Sequence, residues 1–206
     1  MKQAVYGAIP RRLIRKGPSS ARRVALTFDD GPDRLTHRYL DLLDELRVPA
    51  TFFVLGLHCE RYPELTREYV RRGHQLASHG YDHQPFPELR WNALRDNLDR
   101  ADAIIGPQPA ARSWVRPPYG KVDARVIGQL LTHGSTIAMW SFDSHDYELR
   151  DVESLAARCA PDNVSPGEVV LMHEGQQWTL DALPRIVESL RGAGYELVTM
   201  ADLFAV

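Results

Sequence analysis

Cysteine is scarce in this sequence, which contains only Cys59 and Cys159. Their wide separation fits neither a zinc knuckle nor the closely spaced framework of a disulfide-rich secreted domain. We therefore expect two free, buried thiols. The two cysteines do not indicate whether the protein works in a reducing or an oxidising compartment.

Long hydrophobic runs are also missing. No apolar stretch approaches the roughly 20 residues that a membrane-spanning helix needs, and the first residues lack the continuous hydrophobic segment of a signal peptide. The sequence contains neither an internal repeat nor a low-complexity segment. A chain of 206 residues with 44% hydrophobic residues is most simply one globular domain without a membrane span.

Acidic residues do not occur in residues 1–23, a stretch that holds seven Lys or Arg. The rest of the chain carries 18 basic and 27 acidic residues, a net charge of −9, which argues against a nucleic-acid partner. We expect residues 1–21 to form a basic N-terminal arm or linker. It is a linker from a removed membrane anchor, a segment that packs on the acidic body, or a solvated terminus. The sequence does not indicate an oligomeric state.

Short β-rich runs alternate with amphipathic helical stretches through the remainder of the chain. The β-rich runs are apolar on successive residues, as parallel strands buried on both faces are, and they cover residues 23–28, 51–55, 75–78, 113–116, 135–142, 168–172 and 196–199. The helical stretches lie near residues 37–47, 63–72, 90–105, 123–132, 151–159 and 180–191. This α/β alternation predicts a parallel sheet with helices outside it. Periodicity alone leaves open an open doubly wound sheet and a closed or nearly closed barrel.

Polar residues collect at the carboxyl ends of the predicted strands, which is where active sites lie in both architectures. Five strand ends carry titratable or metal-binding groups, namely Asp29 and Asp30, His79 and His83, Arg116 and Tyr119, Asp143 and Asp146, and His173. We therefore expect these side chains to share one rim of the sheet.

A metal site at this rim is chemically reasonable. His79 and His83 are close enough in sequence to bind one ion from a tight loop. Two imidazoles and one carboxylate would leave a fourth position open for water, as in catalytic zinc sites. A cation would also offset the repulsion between the adjacent Asp29 and Asp30, so that one aspartate binds it while the other stays free as a base.

Five short segments carry a resemblance to a known family. TFDDGP, SHGYDH, RPPYG, DSHDY and LMH stand in the order and spacing of the polysaccharide deacetylases, the family-4 carbohydrate esterases. The sequence resembles this family over about residues 22–204. The resemblance implies a distorted (β/α)7–8 barrel with its site at the carboxyl ends of the strands, and a polysaccharide deacetylase catalytic domain over residues 22–206.

The resemblance also implies a metal centre and a catalytic base. Asp30, His79 and His83 are similar to the family's metal ligands, usually for Zn²⁺, with Co²⁺, Ni²⁺ or Mn²⁺ as alternatives. Asp29 resembles the base that deprotonates a water molecule. Arg116 resembles the arginine that holds this base in place.

The acid and the substrate-binding groups follow from the same resemblance. His173 is expected to be the general acid, with Asp143 as its charge partner. The backbone N–H of Tyr119 is expected to stabilise the oxyanion, and Pro117, Tyr147 and Leu171 are expected to contact the substrate, the last two around the acetyl methyl group. Tyr147 stands where the family usually has tryptophan. Glu174 replaces a common aspartate, and we expect this to have little effect on the chemistry.

The implied function is a metal-dependent hydrolase that removes N-acetyl groups from an N-acetylglucosamine-type glycan, such as a chitin oligomer or peptidoglycan. The alternatives are an O-acetyl esterase, a deformylase or another amide hydrolase on the same scaffold, and an inactive carbohydrate-binding relative. The family often acts on extracellular or cell-envelope glycans. Because the sequence shows no export signal, a cytoplasmic location stays open.

Overall fold

Nine parallel strands form one sheet within the described residues. The structure, a computed structural model, describes residues 12–106 and 113–205, so residues 1–11 of the expected arm lie outside the described residues. The strands are β1 (Leu13–Ile14), β2 (Arg23–Asp29), β3 (Thr51–Val54), β4 (Gln75–Ser78), β5 (Trp114–Val115), β6 (Thr136–Ala138), β7 (Phe142–Asp143), β8 (Val169–His173) and β9 (Glu196–Val198).

The helices lie between these strands. They are α1 (Thr36–Leu46), α2 (Gly56–Arg61), α3 (Pro63–Arg71), α4 (Trp91–Ile105), α5 (Ala124–Thr132), α6 (Asp146–Leu149), α7 (Val152–Arg158), α8 (Gln177–Gly192) and α9 (Met200–Phe204), with 3₁₀ turns at Phe86–Glu88 and Pro118–Gly120. All six predicted helices are confirmed. Helices α2, α6 and α9 were not predicted, because helices of four to six residues are too short to show a periodic pattern.

The strand order shows that the sheet curls into a distorted barrel. The strands are paired in the order β1-β6-β5-β4-β3-β2-β8-β7, and β9 pairs with β2. A flat sheet would hold β6 and β7 about 29 Å apart, at six strand spacings. Only residues 139–141 connect these two strands, and such a connection spans at most about 14 Å. The sheet must therefore bend until its two ends approach each other, which confirms the predicted fold class.

This closure also explains one difference from the prediction. The predicted strand 135–142 is two strands on opposite sides of the barrel opening, because residues 139–141 leave one sheet edge and reach the other. Met139 N donates to the Ile14 carbonyl on the β1 side (2.8 Å), and Ser141 N donates to the Val169 carbonyl on the β8 side (3.1 Å).

The two faces of the strands build two apolar layers. Alternate residues of β2 and β8, including Leu26, Phe28 and Val170, pack outward against α1 and α8 in the largest core cluster. The residues between them, including Ala25 and Val169, face the barrel interior, where they pack against residues of β9 and α9. Asp29 and His173 end the two central strands on this inner face, side by side in register.

The described part of the N-terminal arm packs on the sheet. Strand β1 pairs with β6, Gly17 N donates to the Gly167 carbonyl (2.7 Å), and Lys16 forms an ion pair with Glu168 (2.6 Å). The described basic residues of the arm thus contact the acidic body, which is one of the three alternatives that the sequence left open.

Cys59 and Cys159 are both buried and free, as predicted. Within residues 12–106 and 113–205, no helix has the length and hydrophobicity needed to cross a membrane.

Substituting Gly167 tests how tightly the arm is packed. Gly167 has φ 84°, and a Cβ there would collide with the Gly17 carbonyl, whereas Gly194 has φ 81° and open space around it. Gly194→Ala should lower the free energy of unfolding by about 1 kcal/mol through backbone strain alone. Gly167→Ala should cost about 1–3 kcal/mol more because the arm must move. Chemical denaturation measures both, and equal losses would mean that the arm is not held against residue 167.

Candidate active site

The adjacent aspartates at the end of β2 have different surroundings. Asp29 is the last strand residue, and its side chain is buried on the inner face of the barrel. Asp30 leaves the strand with φ 76°, a left-handed conformation that aspartate tolerates better than most residues, and its side chain is 36% exposed. This turn separates the two carboxylates, so that each can have its own partners.

Asp30 lies with His79 and His83 in a group that could hold a metal ion. The Asp30 Oδ1 atom is 3.4 Å from His83 Nε2 and 3.7 Å from His79 Nε2. The potential ligand atoms of the three residues all lie within 4.8 Å of one another. The spacing of the histidines and the position of the aspartate therefore bring together the three predicted ligands.

The protonation state of His79 supports a cation at this position. His79 Nδ1 is 2.7 Å from the Arg116 carbonyl, to which it must donate, so Nε2 carries the lone pair. Burial lowers the pKa of His79 to about 3, which keeps the ring neutral. The Asp30 Oδ1 atom is buried and has no hydrogen-bond partner among the described residues. His79 Nε2 and Asp30 Oδ1 are therefore two electron-pair donors that face each other without a hydrogen between them, and a shared cation would satisfy both.

The loop that carries the histidines is fixed by α4. His83 has φ 62°, a conformation uncommon for a residue with a side chain. The Asn97 side chain accepts a hydrogen bond from Tyr81 N and donates one to Asp82, each 2.8 Å long. This support from α4 could not be read from the sequence, where Asn97 is one polar residue in an amphipathic helix.

Arg116 holds Asp29 from inside the barrel. Arg116 is fully buried, its Nη1 donates to Asp29 Oδ1 (2.7 Å), and its guanidinium lies 3.9 Å from the centre of the Phe53 ring. Burial raises the pKa of the Asp29 carboxyl, and the charge and hydrogen bond of Arg116 act in the opposite direction. The second carboxylate oxygen, Oδ2, is 3.6 Å from His79 Nε2 and thus faces the group of potential ligands.

The predicted pairing of His173 with Asp143 is wrong, and the partner is Asp146. His173 Nδ1 lies 2.7 Å from Asp146 Oδ1. Asp143 is in register with Leu171, which lies two residues before His173 on β8. The Asp143 side chain is therefore displaced by two residues along the strand direction and does not reach the imidazole. Its carboxylate instead accepts hydrogen bonds from His145 N (2.9 Å) and the Tyr147 hydroxyl (3.3 Å).

Asp146 is fully buried at the start of α6, and α8 supports it. Its Oδ2 accepts from His173 N (2.7 Å) and from Thr179 Oγ1 (2.9 Å), and its carbonyl accepts from Trp178 Nε1 (2.7 Å). Burial opposes the charging of His173, but Asp146, with smaller contributions from other nearby carboxylates, raises the pKa of the imidazole to about 9. His173 is therefore protonated at neutral pH. Neither of the two supporting residues on α8 was predicted from the sequence.

The predicted substrate-binding residues are distributed around this rim. Tyr147 is 38% exposed, and its ring stands perpendicular to that of His173 at 5.4 Å. Tyr119 is 59% exposed, has φ 59° and lies 4.5 Å from the His83 ring. Leu171 and Pro117 are both buried. Leu171 shares the inner face of β8 with His173. The Pro117 carbonyl accepts a hydrogen bond from Gly120 N (2.9 Å) in the turn that contains Tyr119.

Two more residues hold the loop that follows β2. His58 Nδ1 lies 2.9 Å from the Asp30 carbonyl, so α2 contacts the backbone of a predicted ligand. Glu174 is buried against Gly31 and accepts hydrogen bonds from Thr36 and Tyr69. Burial raises the pKa of Glu174 to about 8, which indicates a structural carboxyl rather than an exposed charge.

Comparison with known proteins agrees with this architecture. The sequence model of the polysaccharide deacetylase family matches residues 16–138. The peptidoglycan-N-acetylglucosamine deacetylase PgdA of Listeria monocytogenes is 32% identical over 89% of this chain, which spans only 39% of the length of that protein. The chitooligosaccharide deacetylase of Sinorhizobium fredii is 31% identical, with 95% of this chain and 96% of that protein covered.

A solved structure gives the same result in three dimensions. The peptidoglycan N-acetylglucosamine deacetylase Bc1960, crystallised with a hydroxamate-type benzamide, superposes with a TM-score of 0.86 and 31% identity, covering 92% of this chain and 91% of that one. The fold, the site geometry and the family match therefore lead to one conclusion: this chain belongs to the polysaccharide deacetylase family.

Proposed function

We propose that this protein is a zinc-dependent hydrolase that removes N-acetyl groups from an N-acetylglucosamine-type glycan. The observation that carries the proposal is the grouping of Asp30, His79 and His83 beside the carboxylate of Asp29, with His173 next to Asp29 on the neighbouring strand. The names of the two relatives and of the solved structure, which are deacetylases of N-acetylated glycans, support the substrate class.

Two imidazoles and one carboxylate are the ligand set of a catalytic zinc site with an open position. Asp30, His79 and His83 would hold the ion, and the unpartnered Asp30 Oδ1 is the observation that fits this role. When bound, zinc supplies Lewis acidity, which lowers the pKa of a water molecule to about 7 and polarises a carbonyl group.

Asp29 is proposed as the general base. Its Oδ1 accepts from Arg116, so Oδ2 faces His79 and is the oxygen that takes the proton from water. Arg116 acts through Asp29 as a positioning residue. Its buried charge favours the ionised carboxylate, which burial alone would disfavour.

His173 is proposed as the general acid. An amide nitrogen is a poor leaving group unless it is protonated, and a positioned acid contributes about 10²–10⁴ to such a step. Asp146 keeps the imidazole charged and oriented through Nδ1, so Nε2 carries the proton that the leaving nitrogen receives.

The substrate groups around the acetamide complete the proposed site. The backbone N–H of Tyr119, held by its left-handed conformation, is the proposed oxyanion donor. Tyr147 and Leu171 are proposed to line the pocket of the acetyl methyl group, and Pro117 is proposed to fix the turn before Tyr119. We propose the cell envelope as the place of action, by analogy with peptidoglycan-acting relatives.

Other reactions on the same scaffold remain alternatives, because one fold and one metal site serve several acyl substrates. These are O-acetyl ester hydrolysis, deformylation and hydrolysis of a non-sugar amide. An inactive carbohydrate-binding role is disfavoured, since the potential metal ligands and the residues proposed as base and acid are all present, with the contacts that these roles require.

Metal removal tests the proposed function. Chelation should abolish acetate release from N-acetylglucosamine oligomers, and Zn²⁺ or Co²⁺ should restore it. The reason is that the ion proposed to bind to Asp30, His79 and His83 would supply the Lewis acidity for the reaction. Acetate release and metal content are measured on one preparation. The same assay on peptidoglycan, acetylxylan and small acyl amides separates the alternatives. Full activity in protein free of transition metals would contradict the proposal.

The two adjacent aspartates should respond differently to substitution. Asp30→Asn replaces an anionic ligand, so zinc affinity should fall and excess zinc should restore part of the turnover. Asp29→Asn removes the base but no ligand, so zinc content should remain while turnover falls at least about a hundredfold.

This comparison needs a stability control. Asp29→Asn leaves Arg116 buried beside a neutral group, and breaking a buried ion pair costs about 3–5 kcal/mol. Zinc content and turnover are therefore measured at a temperature where circular dichroism shows both variants folded. Equal loss of zinc in both would mean that Asp29 is itself a ligand.

The pH profile tests the pairing of His173. Because Asp146 raises the pKa of His173 to about 9, Asp146→Asn should lower that pKa and move the alkaline limb of kcat to lower pH. Asp143→Asn is the matched control, since it removes the same charge from the same loop but not the contact with His173. A shift in the Asp143 variant without one in the Asp146 variant would reverse the assignment.

A further inference from the structure

Helix α2 begins at the end of the strand that separates the two strands leading to the proposed ligands. In the sheet, β3 lies between β2, which Asp30 follows, and β4, which His79 follows. The three strands are parallel, so their carboxyl ends lie side by side, and only Leu55 separates β3 from α2. The first turn of α2 is therefore placed between the loop that carries Asp30 and the loop that carries both histidines.

The backbone of this first turn is hydrogen-bonded to both loops. The first N–H groups of a helix have no partner within the helix, and those of α2 are bound by carbonyls of the two loops. The three hydrogen bonds, 2.8–3.0 Å long, run from Leu55 N to the Gly31 carbonyl, from Gly56 N to the Gly80 carbonyl and from Leu57 N to the Tyr81 carbonyl. The first of these carbonyls directly follows Asp30, and the other two lie between His79 and His83. Helix α2 thus joins the two ligand loops through its main chain.

The side chain of His58 adds a contact with the loop of Asp30. Its Nδ1 lies 2.9 Å from the Asp30 carbonyl. A carbonyl can only accept, so Nδ1 carries the proton and donates it. His58 does not belong to the group of residues that could hold a metal ion. It therefore fixes the backbone of a proposed ligand without being a ligand itself.

Tyr81 joins the histidine loop to α2 through its side chain. Its hydroxyl donates to Glu60 Oε2 on α2 (2.9 Å) and accepts from Arg100 Nη2 on α4 (2.5 Å). The Arg100 guanidinium also lies 3.7 Å from the centre of the Tyr81 ring. A Cβ on Gly56 would come within 2.8 Å of this ring, so α2 packs against Tyr81 more closely than a residue with a side chain would allow.

These contacts hold backbone that is unfavourable by itself. Asp30 and His83 have φ 76° and 62°, left-handed conformations that residues with a side chain seldom adopt. Such conformations persist where the surrounding structure holds them in place. Zinc ligands approach the ion to about 2.0–2.2 Å with a tolerance of about 0.2 Å. The element that fixes one ligand loop relative to the other therefore influences the affinity for the ion.

We propose that α2 positions the metal ligands, with His58 fixing the loop of Asp30 and Tyr81 fixing the loop of the two histidines. The inference rests on the proposed function and deepens it. We call α2 with these two side chains the α2 brace. Both are positioning residues, because they act through the backbone of the ligand loops. The brace keeps the ligands near their binding positions in the metal-free protein, so that less ordering is needed on binding and zinc is bound more tightly.

The test of His58 measures the dissociation constant of zinc for the full chain, by competition between the metal-free protein and a chromophoric chelator. His58→Leu should raise this constant about tenfold or more, the usual effect of losing a group that orients a ligand. His58→Asn should keep it near the unmodified value, because the Asn amide nitrogen takes the place of Nδ1. His37→Leu is the control, since His37 is exposed and its side chain makes no hydrogen bond within the described residues.

Two outcomes of this series would overturn the proposal. Equal dissociation constants for His58→Leu and His37→Leu would show that the contact with Asp30 does not contribute. Equal weakening in His58→Leu and His58→Asn would indicate that His58 itself binds the ion. If His58→Leu does not fold without zinc, His58→Gln replaces it, since the Gln amide nitrogen takes the place of Nε2 and cannot make the same contact.

Tyr81→Phe tests the histidine loop. The variant keeps the ring but removes the hydroxyl that Glu60 and Arg100 contact, so the dissociation constant of zinc should rise about fivefold or more. Tyr62→Phe is the matched control, because Tyr62 directly follows α2 and its hydroxyl makes no hydrogen bond within the part of the chain that the structure describes. The same constant in both tyrosine variants would overturn the brace.

A purely structural role would change stability but not zinc binding. The free energy of unfolding of each metal-free variant is therefore measured with urea. Zinc affinities are compared at a temperature at which circular dichroism shows every variant folded. Raised dissociation constants in folded protein support the brace, and unmodified constants in folded protein would contradict it.

The proposed function can fail separately. If the unmodified protein binds zinc at this site but releases no acetate from N-acetylglucosamine oligomers, the zinc measurements still decide on the brace, and only the proposed activity fails. If the unmodified protein releases acetate and the variants bind zinc as tightly as it does, only the brace fails. If the unmodified protein binds no zinc at this site, both fail.

Discussion

The buried ion pair between Arg116 and Asp29 is the interaction on which the rest of the site depends. Two charges are removed from water inside the barrel, which is favourable only when both are paired and hydrogen-bonded. Thr27, the Ala138 carbonyl and the Met200 sulfur accept the other hydrogen bonds of Arg116. Strands on opposite sides of the barrel are joined in this way.

The same pair decides how the two neighbouring aspartates divide their roles. Arg116 occupies one oxygen of Asp29, and the left-handed turn directs Asp30 towards the two histidines. His79 links the two halves, since its Nδ1 donates to the Arg116 carbonyl while its Nε2 faces both carboxylates. A shift of Arg116 would therefore disturb the proposed base and the proposed ligand set together.

Much of this arrangement could be predicted from the sequence, because parallel strands bring their carboxyl ends to one rim. Asp29, Asp30, His79 and His83 follow strands that are apolar on successive residues, and this pattern is strong. The choice between Asp143 and Asp146 could not be made in the same way. It depends on the register of β7 against β8, where Asp143 lies level with Leu171, and periodicity carries no information on register.

Longer-range contacts were also beyond the sequence. The pairing of β1 with β6 involves only two residues in each strand, too few for a pattern. The contacts of Trp178 and Thr179 with Asp146 join segments that are about thirty residues apart in the chain. The pairing of β7 with β8 brings these two segments together.

The most direct test of the account is a crystal structure of the zinc-loaded protein, with the ion located by anomalous scattering. We expect one zinc ion bound by Asp30, His79 and His83 at about 2.0–2.2 Å, with Asp29 still bound to Arg116 and not coordinated to the metal. A zinc ion ligated by Asp29, or bound outside this group of residues, would contradict the division of roles on which the proposed mechanism rests.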